Sequence, residues 1–116
     1  MSERNTSVLL ADIIEAIDNI FEFTKGLSFE EYCNDIKTKH AVERNFTVIG
    51  EAASRIPDPL KQQYGHINWR LVKDFRNIIV HDYFGIDNTI VWDIINLNLP
   101  DLRHDISHIL QKEKDQ

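Results

Sequence analysis

From Ile13 to Leu110 of this chain, apolar side chains return every three or four positions, and nowhere do they alternate residue by residue. That period lays them along one stripe of an α-helix, whereas a half-buried strand would need a period of two. Ile13, Ile14, Ile17, Ile20, Phe21 and Leu27 predict a first helix of about 20 residues, closed by Gly26 with Lys25 in its last turn. Ser28-Phe29-Glu30-Glu31 has the spacing of a capping box and predicts a short helix. A second long helix is expected from Asp35 to Ile56, with Ile36, Ala41, Phe46, Ile49, Ala52, Ala53 and Ile56 turned inward. Its small residues Gly50, Ala52 and Ala53 let a neighbouring helix come close, and Pro57 and Pro59 end it. Leu60 to Gly65 reads as one helical turn.

Asn68 is placed to cap a third long segment carrying Trp69, Leu71, Val72, Phe75, Ile78 and Ile79, with a break expected near Gly85. Asp87 or Asn88 caps a last helix through Val91, Ile94 and Ile95, which Pro100 should kink or restart. Leu102, Ile106, Ile109 and Leu110 continue its stripe, and the polar tail from Lys112 to Gln116 is expected to fray. The expectation is an all-α bundle of four or five helices forming a single domain over residues 1–116.

Composition narrows what such a bundle can do. A 42% hydrophobic share is too high for a disordered chain. Nineteen acids against thirteen bases, a net charge of −6, exclude a module that coats nucleic acid by bulk charge. Cys33 is the sole cysteine, which excludes an internal disulfide and a cysteine-based zinc site and suits a half-buried apolar role. His104 and His108 stand four apart, a chelating spacing, but no third ligand sits at a recognisable distance, so a solvated face is expected and no metal. His40 and His66 stand alone, and neither a glycine-rich phosphate loop nor a nucleophile elbow is present. No apolar run approaches the ~20 residues that span a bilayer. The opening MSERNTSVLLADIIE carries acids where a signal peptide needs a clean apolar core, so a cytoplasmic protein without a membrane partner is expected.

Arg76-Asn77-Ile78-Ile79-Val80-His81-Asp82-Tyr83 stands apart from the rest. A guanidinium, an imidazole and a phenol crowd the end of an apolar helix. Arginine clamps phosphate with a permanent charge, and histidine is a base or acid near neutral pH. On a straight helix Arg76 and His81 point about 140° apart, so they converge only where the helix distorts or where two copies meet across a dimer axis. Asn77 and His81, four apart, share a face, and the amide can orient the imidazole. A blander arrangement, with Arg76 paired to Asp74 or Asp82 and His81 merely ending the helix, fits the same spacing.

Arg-x4-His-x-Tyr resembles the signature of the HEPN superfamily, and of its HepT-like toxins in particular. Ala41-Val42-Glu43-Arg44-Asn45-Phe46 followed by Ile49-Gly50-Glu51-Ala52 is similar to the second helix of those proteins. His81 through Asp87, running into Val91-Trp92, and Leu99-Pro100-Asp101-Leu102 are similar to their C-terminal part. The resemblance implies an up-and-down homodimeric bundle whose two motifs line one cleft. It implies a metal-independent ribonuclease toxin that needs no cofactor and cuts RNA, tRNA among the candidates, by attack of the 2′-hydroxyl. It also implies a partner, a minimal nucleotidyltransferase antitoxin of a type VII-like system, that transfers AMP to the motif tyrosine.

By position Arg76 and His81 would be catalytic, Asn77 supporting, and Tyr83 the modified residue. Arg44 and Glu51 are expected to be structural or interfacial. A non-catalytic HEPN module that binds nucleotide or substrate for a separate nucleotidyltransferase would use the same residues, and a plain helical dimer with no site would use none. The acidic total leaves room for local positive potential, because Arg70, Lys73 and Arg76 follow one another at three-residue steps.

Overall fold

A computed structural model describes residues 5–77 and 88–114. The described residues form seven α-helices, with a 3₁₀ turn and a π-helical stretch between them. The helices are α1 (Thr6–Thr24), α2 (Phe29–Asn34), α3 (Ile36–Arg55), α4 (Asp58–Gln63), α5 (Trp69–Asp74), α6 (Asn88–Asp93) and α7 (Leu99–Lys114). A 3₁₀ turn, Phe75–Asn77, continues α5, and a π-helix, Ile94–Asn98, joins α6 to α7. No strand occurs among them, and no helix is long and apolar enough to cross a membrane. The three long helices α1, α3 and α7 supply most of the core, and the short ones account for the excess over four or five.

The caps fall where the side chains dictate. Asn5 Oδ1 accepts from the Ser7 amide at 2.7 Å to open α1, and Gly26 closes it at φ 77°, a left-handed value that favours glycine. Ser28 and Glu31 exchange both bonds of a capping box at the start of α2. Asp35 caps α3 through the Thr38 amide and hydroxyl, and Asn68 caps α5 through the Leu71 amide. Pro57 is the N-cap of α4 as well as the stop for α3, with Pro59 inside the first turn, where its missing N–H costs nothing.

α1 and α3 run antiparallel: Asn19 donates to Asn45 at 3.2 Å, while Leu9 and Asp12 lie opposite Val48, Ala52 and Arg55. Ile13, Ile17 and Ile20 of α1 meet Val42, Phe46 and Ile49 of α3 in the core, all six fully buried. α7 returns along α1, with Pro100 beside Phe21 and Thr24 and Arg103 bonded to Asp18 at 2.6 and 3.1 Å. Leu99, Leu102, Ile106 and Ile109 line its buried stripe. α2 docks on α6 through Tyr32, whose ring centroid lies 5.1 Å from that of Trp92. Cys33 is half-buried.

Two expectations change, and the restart expected at Pro100 takes the form of a π-helical turn. Ile36 stands 63% exposed at the first turn of α3, and the buried stripe of the helix begins at Val42. The tail holds helix as far as Lys114, where Lys112 and Lys114 favour the negative end of the helix dipole. Pro100 produces a widened turn ahead of it: the Leu99 amide bonds to the Ile94 carbonyl, five residues back. The wider turn moves the Asn96 carbonyl, which a proline ring would strike in a regular α-helix, and the Asn96 side-chain amide Nδ2 donates to the Trp92 carbonyl at 2.8 Å.

Candidate active site

α5 is set down on α3 by its own sequence. The Trp69 indole donates to the Tyr64 carbonyl at 3.1 Å, fixing where the helix begins. Val72 and Phe75 then turn inward, and the Phe75 ring meets Phe46 edge-on at 5.1 Å. One turn along α3 from Phe46 lies Gly50, buried in the approach of the two backbones. A Cβ there would sit 2.5 Å from the Arg76 amide nitrogen and 2.8 Å from both the Arg76 Cβ and the Lys73 carbonyl oxygen. Only glycine admits that contact, and it fixes the backbone from which Arg76 departs.

The chain tightens from α to 3₁₀ at Phe75, just before Arg76. The angles of a straight α-helix therefore no longer hold at Arg76. Arg76 and Asn77 are half-buried. Among the described residues Arg76 has no ion-pair partner, so pairing with Asp74 does not occur; Asp82, the other partner expected, lies outside them. His81, Asp82 and Tyr83 lie outside the described residues, as does the expected break at Gly85.

Arg44 and Glu51 are exposed and line a shallow groove between α1 and α3 with Asp12 and Arg55. They lie about a third of a turn from Gly50, on a different side of α3 from Arg76. His104 and His108 are exposed, and among the described residues no three His, Cys, Asp or Glu side chains are grouped to hold a metal.

Two features went unforeseen. Glu43, 6% exposed, is the one charged side chain buried among the described residues, and it shares the Gly50 side of α3, seven residues away. Its place next to Val42 and three residues before Phe46, on the apolar side of the helix, was the available signal. His66, which stands alone in the sequence, approaches Asp105 of α7, Nε2 to Oδ1, at 3.8 Å, a long-range pairing that periodicity cannot reveal.

An all-helical bundle that seats an arginine backbone on a glycine, just ahead of a His-x-Tyr segment, has the make-up of a HEPN protein. The chain belongs to the ribonuclease HepT-like family, whose model matches residues 13–109. "Putative RNase MJ1216" of Methanocaldococcus jannaschii is 34% identical over 111 residues, covering 96% of this chain and 92% of its own length. "Probable ribonuclease HepT" of Thermococcus cleftensis is 38% identical over 101 residues, covering 87% and 92%. "Putative RNase TTE0752" of Caldanaerobacter subterraneus is 31% identical over 105 residues, covering 90% and 94%. No solved structure matches.

Proposed function

We propose that this HEPN ribonuclease is the toxin of a toxin–antitoxin pair and cuts RNA without a metal, working as a homodimer with one motif from each subunit at a shared cleft. The observation that carries the reading is the seating of Arg76 against Gly50, within the 13–109 stretch that matches the family. Arg76 binds the scissile phosphate and stabilises charge that builds on its oxygens. His81 takes the proton from the 2′-hydroxyl or returns one to the departing 5′-oxygen. The 2′-oxygen bonds to phosphorus as the bond to the 5′-oxygen breaks, leaving a cyclic phosphate and a free 5′-hydroxyl. Asn77 orients His81 through its amide.

The antitoxin is a small nucleotidyltransferase that moves AMP onto the Tyr83 hydroxyl. The added phosphate places negative charge where the RNA phosphate must sit. Transfer RNA is one candidate substrate.

Expression of the chain alone, as wild type and as Arg76→Ala and His81→Ala, tests the reading by growth and by RNA integrity. Each variant is expected to cut at least about a hundredfold more slowly while staying folded and dimeric. Undiminished cleavage by His81→Ala sinks the mechanism. Tyr83→Phe is expected to keep the nuclease and to escape neutralisation by the antitoxin, read as growth arrest with both genes expressed.

A further inference from the structure

The stretch Trp69–Asn77 reverses the sign of the chain's charge. It holds Arg70, Lys73 and Arg76 against Asp74, three minus one, a net of +2; the remaining residues, ten bases and eighteen acids, therefore carry −8 of the total −6. Arg70 and Lys73 are exposed and Arg76 is half-buried, and among the described residues none of the three is in an ion pair. Buried Val72 and Phe75 hold the opposite face, and the Gly50 contact grips the backbone at Lys73 and Arg76. The cations thus stand on a scaffold that cannot easily shift.

Their alignment is also shaped by the fold. On an α-helix, three-residue steps rise about 4.5 Å and slew by about 60°, so a row of such residues drifts around the axis. In a 3₁₀ turn, residues three apart eclipse. The tightening at Phe75–Asn77 brings Arg76 back toward the line of Lys73. A row of cations one turn apart fits an evenly repeating anion, and the acidic remainder repels that anion elsewhere.

We infer that Arg70 and Lys73 extend the Arg76 site into a ridge that grips phosphates of the unpaired RNA strand beside the cut, an inference that rests on the ribonuclease reading above. The test uses oligouridine as the probe, with a His81→Ala background to prevent cleavage during binding. Arg70→Gln and Lys73→Gln are each expected to weaken binding and to flatten the slope of log K against log salt by about 0.7, and the double variant by the sum. Lys73→Arg is expected to keep the wild-type slope. With His81 intact, the double variant is expected to raise KM and leave kcat at saturating RNA unchanged.

A folded double variant with unchanged affinity overturns the ridge. So does weaker binding with an unchanged salt slope, the result a purely structural fault would give. A wild-type protein that neither binds nor cuts RNA overturns the ribonuclease reading and the ridge with it. One that cuts RNA at a rate indifferent to both substitutions overturns the ridge alone.

Discussion

Gly50 and Gly26 are both glycines by necessity, for different reasons, and they separate stability from activity. Gly50→Ala forces a Cβ against backbone atoms of Lys73 and Arg76, which cannot swing aside as a side chain would. The expected result is a loss of about 1–3 kcal/mol in chemical denaturation, with slower RNA cleavage because Arg76 is displaced. Gly26→Ala meets no atom within 4 Å but must hold φ at 77°. It should cost about 1 kcal/mol and leave kcat untouched, since the added Cβ touches nothing and leaves the Gly50–Arg76 contact as it is. At this scale the sequence was readable where chemistry is written in one residue: the small side chain of Gly50 announced a close approach. It was silent where a residue's meaning depends on a distant one, as for His66 beside Asp105.

Helix starts were the most legible elements, because a cap is a local bond between residues three apart. Ser28 and Asn68 cap where their spacing indicates, and Asp35, expected only as the start of its helix, caps it. The caps also carry a pH signature. The Ser28 backbone N–H, and then its hydroxyl, hold the Glu31 carboxyl below its usual 4.5, and the Thr38 hydroxyl and amide lower Asp35 from 3.8. A lowered folded-state value means the charged form is favoured in the fold. The stabilisation is therefore fully present above the ordinary carboxylate range and is lost as pH falls through the lowered values. A Glu31→Gln, Asp35→Asn double variant is expected to show a shallower fall in Tm between about pH 5 and pH 3 than wild type. Helix interiors were less legible. The 3₁₀ turn after α5 and the π-helix before α7 depend on what the backbone packs against and on a proline ring meeting a carbonyl, neither of which apolar spacing records. Ile36 was misplaced for a related reason: the first residue after a cap is only half committed to the helix's packing face.

On the scale of the whole molecule, α1 and α7 are joined by packing and by one forked contact, Arg103 to Asp18. Both side chains are substantially exposed, at 41% and 48%. Arg103→Ala is therefore expected to cost less than about 1 kcal/mol at low salt, and the difference should vanish in 1 M salt, as read by urea midpoints. The same pair fixes how the outer ends of α1 and α7 are disposed. From Asp18 back to Thr6 is 12 residues, and from Arg103 on to Lys114 is 11, each about 17 Å of helix running the same way along antiparallel partners. The first and last turns thus finish side by side, opposite the exposed bend at Gly26. A circularly permuted chain, joined from the end of α7 to the start of α1 and opened at Gly26, would keep the described helix pairs intact. Fluorophores placed on the outer turns of α1 and α7 would sit close enough to exchange energy for as long as the bundle holds.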